Sequence, residues 1–120
     1  MSYYSLDINK SIGDDITARV SLNADHELFK GHFPGQPVLP GACMIQILKH
    51  IIEEANQFKV TFITASNIKF LSVVDPRIHK MIVFTIRVKQ LADQLLSVDA
   101  LLMAEEKISM KFSGTYKVTR

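Results

Sequence analysis

The chain has one cysteine, no tryptophan and only four prolines, and each scarcity excludes something. A lone Cys43 cannot close an internal disulfide. Its position in an apolar run predicts a buried free thiol in a reducing, cytoplasmic setting, with a reactive thiol as the alternative. No apolar run approaches the roughly 18 residues that a membrane-spanning helix needs. The opening MSYYSLDINK lacks an apolar core flanked by positive charge, so no signal peptide is expected. Charge of one sign is also lacking: 14 Lys and Arg against 12 Asp and Glu leave a net +2. The basic residues are scattered and not interleaved with aromatics, which argues against nucleic acid as a partner. The four histidines (His26, His32, His50 and His79) form no tightly spaced ligand pair, so no metal site is expected. A Gly-rich phosphate loop is missing too.

What is present is one domain's worth of sequence, expected to span residues 1–120, with two clear periodicities. Ile16, Ala18, Val20 and Leu22 alternate as in a half-buried strand, and Asn23 to Lys30 then reads as a loop. From Met44 the period changes. Met44, Ile47, Leu48, Ile51, Ile52 and Ala55 form the apolar stripe of an amphipathic helix from about Ala42 to about Phe58. Gln46, His50, Glu53 and Gln57 share its opposite face.

Everything afterwards alternates again. Val60, Phe62 and Thr64 begin a strand that Ile68 and Phe70 continue or replace. Asp75-Pro76 marks a turn. Ile82 to Val88, Leu96 to Leu102 and Ile108 to Val118 supply three more strands, with turns expected at Ala92-Asp93-Gln94 and Glu105-Glu106. One long helix followed by a strand meander predicts an α+β fold, an antiparallel sheet with a helix against one face. Long strands with an open edge also invite pairing between two chains.

Three of the four prolines fall in one stretch, GHFPGQPVLPGA, at Pro34, Pro37 and Pro40. Each fixes φ and biases the residue before it towards extended backbone, so the loop is stiff before any ligand arrives. Such a loop can hold His32 in one place, as catalysis requires. Gly41 stands at the predicted helix start, where backbone N–H groups lack helical partners and the dipole is positive. A carbonyl oxygen placed there would be polarised. Against these readings stand a plain structural connector, a hydrogen-bonded structural histidine, and a PxxP ligand for an aromatic groove.

The stretch resembles the signature of the 3-hydroxyacyl-[acyl carrier protein] dehydratases. The match lies in Gly31-His32-Phe33-Pro34, Pro37 and Pro40-Gly41, supported by Phe29, by Asn67-Ile68-Lys69-Phe70 and by Asp75-Pro76. In layout the similarity runs roughly from residue 15 to residue 118. It implies the hotdog fold: a long helix wrapped by a curved antiparallel sheet, with two subunits joining their sheets. It implies elimination of water from a 3-hydroxyacyl thioester carried on the phosphopantetheine of a carrier protein or on coenzyme A, with no resident cofactor. The family's catalytic histidine falls on His32 and its carbonyl-binding glycine on Gly41, with Phe33 and Pro40 beside the substrate. Its catalytic carboxylate falls on Gln46, which has acceptor and donor groups but no proton to give. His50, one turn further on, and Glu54 are auxiliary candidates; His26, Glu27 and His79 read as surface residues. The resemblance leaves three functions open: a dehydratase, a non-catalytic carrier-binding subunit paired with an active paralogue, and a hotdog thioesterase. The partners it implies are an acyl carrier protein or acyl-CoA and a second hotdog chain.

Overall fold

The switch from period two to period 3.6 and back becomes a helix set against a sheet. A computed structural model describes residues 2–10, 15–30 and 37–119. Strands β1 (Tyr4–Lys10) and β2 (Asp15–Leu22) are followed by the short helix α1 (Glu27–Lys30) and the long helix α2 (Gly41–Asn56). Strands β3 (Lys59–Phe70), β4 (Met81–Ala92), β5 (Leu95–Ala104) and β6 (Lys107–Thr119) complete the order. They form one sheet, β1-β2-β4-β5-β6-β3, in which every neighbouring pair is antiparallel.

The apolar stripe of α2 is the centre of the core. Met44, Ile47, Leu48, Ile51 and Ile52 are buried, together with the inward residues of four strands. These include Ile16, Ala18 and Val20 of β2, Ile82, Phe84 and Ile86 of β4, Val98 and Leu102 of β5, and Phe112 and Tyr116 of β6. Each large aliphatic or aromatic side chain so buried contributes about 1.5–3 kcal/mol. The helix ends two residues before its expected limit because Gln57 adopts the left-handed conformation (φ 59°, ψ 39°). Its N–H donates to the Glu53 carbonyl at 2.8 Å, closing the last turn. The Glu53 carboxylate accepts the Val60 N–H at 2.9 Å, tying the helix end to the start of β3.

Several expectations need correction. The first strand, β1, is missing from the expected elements, although Tyr4, Leu6 and Ile8 alternate in it. Its register pairs Leu6 with Val20 and Ile8 with Ala18. The expected loop 23–30 contains α1, which places Phe29 in the core. Cys43 is half-buried, not buried, because it sits on the flank of α2 beside the stripe. Phe62, Thr64 and Phe70 alternate as predicted but are exposed, since β3 is an edge strand with register shifts at Phe62/Thr64 and Ala65/Asn67. His26 and His79 are half-buried structural residues. His26 Nδ1 accepts the Leu28 N–H and opens α1, and His79 Nδ1 accepts the Asp75 N–H. At that turn Arg77 grips the Asp75 carboxylate and holds its pKa below the ordinary aspartate value. Among the described residues no helix is long and apolar enough to cross a membrane.

Candidate active site

The flank of α2 that avoids the core carries Cys43, Gln46, His50 and Glu54. Their spacings of three, four and four put them on one face. That face meets Tyr3, just before β1, and Tyr4, the first residue of β1. The Tyr3 hydroxyl donates to Gln46 Oε1 at 3.0 Å. The Tyr4 hydroxyl lies 2.6 Å from His50 Nδ1, and His50 Nε2 lies 3.4 Å from Glu54 Oε1. A carboxylate only accepts, so the proton of a neutral imidazole here sits on Nε2, and Nδ1 accepts from Tyr4. His50 and Glu54 therefore form the expected pair, but the pair ends on Tyr4 and not on Gln46.

Tyr3 is held from several sides. Its carbonyl accepts the Asn23 N–H at 2.9 Å. Its ring meets Tyr4, His26 and Phe29 edge-on, with centroids 4.7, 5.8 and 6.3 Å away. Burial, then the neighbouring Cys43 thiol, pushes its pKa well above the ordinary tyrosine value. Burial also raises that of Tyr4. Sequence patterning misses both tyrosines. The available signal is the Tyr3-Tyr4 doublet in a chain with only three tyrosines, followed by the alternation Tyr4, Leu6, Ile8.

The start of α2 is built from Pro40 and Gly41. Pro40 is extended (φ −63°, ψ 149°), and no side chain caps the helix. Its carbonyl accepts the N–H groups of Cys43 and Met44 at 3.0 and 3.1 Å. The Leu39 N–H donates to the Val74 carbonyl at 2.8 Å, fixing the approach to the helix. Gly41 is expected to admit a ligand to the backbone, and a close approach does occur there. It is made by the Phe70 ring: a Cβ at Gly41 would lie 2.6 Å from Phe70 Cζ. Gln46 follows five residues later, about 7.5 Å along the helix axis. The structure thus groups Gln46, His50 and Glu54 along one flank and sets Pro40 and Gly41 at its head. His32 and Phe33 lie outside the described residues. Among the described residues no three His, Cys, Asp or Glu side chains converge as a metal site.

Comparison with known proteins follows this geometry. A family model described as ApeI-like, ApeI dehydratase, matches residues 8–110. A 3-hydroxyacyl-[acyl-carrier-protein] dehydratase FabZ of Levilactobacillus brevis is 35% identical over 71 residues, covering 53% of this chain and 48% of that protein. The FabZ of Janthinobacterium is 44% identical over 41 residues, covering 34% of this chain and 26% of that protein. The chain spans about half the length, or less, of the curated relatives it matches. Among solved structures, the dehydratase heterocomplex ApeI:P of Xenorhabdus doucetiae superposes with a TM-score of 0.73 at 21% identity, over 100% of both chains. A thioesterase mutant from Staphylococcus aureus gives 0.69 at 12% identity, over 96% of this chain and 93% of that one. At these identities the structural likeness carries the fold, which is the hotdog fold.

Proposed function

Because the chain belongs to the ApeI-like dehydratase family, we propose that it takes 3-hydroxyacyl thioesters and eliminates water to give trans-2-enoyl thioesters. The observation that carries this reading is the placement of Gly41 at the head of α2 with Gln46 about one and a half turns behind it. The thioester carbonyl would accept from the Gly41 N–H, where the helix dipole is positive, and the α-proton would become more acidic. His32 would take that proton. The C3–O bond breaks as the C2=C3 bond forms, and the hydroxyl needs a proton to depart as water. Gln46 has none to give, so the imidazolium formed at His32 would return the one it took. One proton then moves from carbon to oxygen, and water is the only other product. Phe33 and Pro40 would border the acyl group.

The acyl group would arrive on the phosphopantetheine of a carrier protein or on coenzyme A, and no resident cofactor is needed. We place the reaction in the cytoplasm, in acyl-chain synthesis, within a single domain. The edge of β3 would meet a second hotdog chain, since Phe62, Ile63 and Phe70, and Leu71 and Val73 just beyond, leave large apolar side chains exposed along it. That second chain could be identical or an acid-bearing paralogue. The paralogue is favoured by one observation: Gln46 occupies the family's carboxylate position. In a mixed pair, His32 would face the partner's carboxylate, and this chain would be a carrier-binding subunit that contributes half a site. A thioesterase remains the weakest of the three, because it usually needs a carboxylate or activated water.

The test is conversion of 3-hydroxyacyl carrier protein to the enoyl product by the purified chain, beside His32→Ala. Turnover that vanishes in the variant supports the self-sufficient enzyme. No turnover from folded protein, restored by an acid-bearing hotdog partner, supports the subunit. Gln46→Glu is expected to raise turnover about a hundredfold.

A further inference from the structure

A primary amide has two unlike ends, and its function depends on which end faces the ligand. The last torsion of a glutamine is broad, so an untethered amide presents either its oxygen or its NH2. Gln46 is tethered. Tyr3 donates to its Oε1 at 3.0 Å, and Tyr3 is itself fixed by the Asn23 N–H and by the rings of Tyr4, His26 and Phe29. We propose that Tyr3 is a positioning residue which, by occupying the oxygen of Gln46, turns the amide NH2 outward as a hydrogen-bond donor for the 3-hydroxyl oxygen of the substrate.

Donation to that oxygen would favour a substrate bearing it. It would also stabilise the negative charge that gathers there as the C3–O bond lengthens, without any proton changing hands. Tyr3 suits the task because a phenol keeps its proton at neutral pH, and its surroundings extend that to more alkaline pH. The proposal rests on the dehydratase reading given above. It makes Gln46 a selective contact, not merely a lost acid, and it assigns part of the selectivity to a residue 43 positions away in sequence.

The experiment compares binding of a 3-hydroxyacyl pantetheine thioester with its 3-deoxy counterpart of equal chain length. It is run in a His32→Ala background to prevent turnover. The parent should prefer the hydroxylated thioester. Tyr3→Phe keeps the ring packing and should lower that preference about threefold to tenfold, the worth of one oriented neutral hydrogen bond. Affinity for the deoxy compound should not change. Gln46→Leu should abolish the preference, and adding Tyr3→Phe to it should change nothing more. The tether is read independently in the free protein: Tyr3→Phe should shift the Gln46 side-chain amide signals in an NMR spectrum, assigned by their loss in Gln46→Leu. Unshifted signals would overturn the tether. Shifted signals with an unchanged preference would overturn the donor role. If neither thioester binds the parent, the functional reading fails, and the assignment of a substrate oxygen fails with it.

Discussion

Strands β3 and β6 are hydrogen-bonded to each other and both alternate apolar with polar residues, yet only one of them is buried. β6 sends Met110, Phe112, Tyr116 and Val118 into the core. β3 sends only Val60, while Phe62 and Phe70 remain 44% and 52% exposed. The difference lies in their neighbours. β6 is flanked by β5 and β3, whereas β3 has β6 on one side, an open edge on the other and two breaks in register. Alternation identifies a face, and it says nothing about what lies against that face.

The largest test of this contrast is a pair of truncations. Phe112→Ala should cost about 3–5 kcal/mol in denaturant unfolding, independent of protein concentration. Phe62→Ala should cost about 1 kcal/mol in dilute protein, and more at high concentration if a second copy covers the edge as proposed. A Phe62 penalty that is large at every concentration would break the comparison.

Next comes alkaline titration, which sharpens it. Tyr116 on β6 is pushed up to about 12 by burial, and Tyr3 and Tyr4 are raised as well. In the unfolded chain all three should ionise near the ordinary pH of 10. Below that pH both states hold their protons, and stability is unaffected. Above it the unfolded chain loses protons first, so stability should fall as pH rises. For the buried Tyr116 the loss is about 1.4 kcal/mol for each tenfold weakening of the phenol as an acid on folding. It is smaller for Tyr3 and Tyr4, where solvent screens the effect. Tyrosinate absorbance of the native chain should therefore lag that of a urea-unfolded sample. Coincident curves would count against burial of Tyr116.

Smaller again is a contrast of two glycines. A Cβ at Gly114 of β6 would lie 2.7 Å from the Thr64 carbonyl oxygen, at the irregular part of β3. Backbone cannot step aside, so Gly114→Ala should cost about 1–3 kcal/mol. At Gly41 the obstacle is the exposed Phe70 ring, so Gly41→Ala should cost less, and Phe70→Ala should relieve it. Thermal melts of the two variants and the double variant decide this. The smallest effect concerns the Tyr116 hydroxyl, which is buried and has no hydrogen-bond partner among the described residues. Tyr116→Phe should raise stability, by about 1 kcal/mol at most.

These contrasts also show what the sequence could reveal. α2 is legible because each of its turns meets the same core, so its apolar residues recur with helical spacing. β4 and β5 are legible because both have sheet neighbours on two sides and one face on the helix. β1 escapes notice because its alternation is short, with Tyr4, Leu6 and Ile8 only half-buried, and α1 because four residues carry no period. At the site, Gly41, Gln46, His50 and Glu54 can be found because they lie on one local element. The Tyr3–Gln46 and Tyr4–His50 contacts join residues 43 and 46 positions apart. No local pattern records such a pairing.

The ring of Phe70 against Gly41 has a further consequence. It fills the space that a Cβ at Gly41 would need, so the head of α2 takes a side chain there only if the half-exposed ring shifts. That ring belongs to the far end of β3, the strand with the open edge. A substitution at Phe70 would therefore alter the head of α2 and the open-edged strand together.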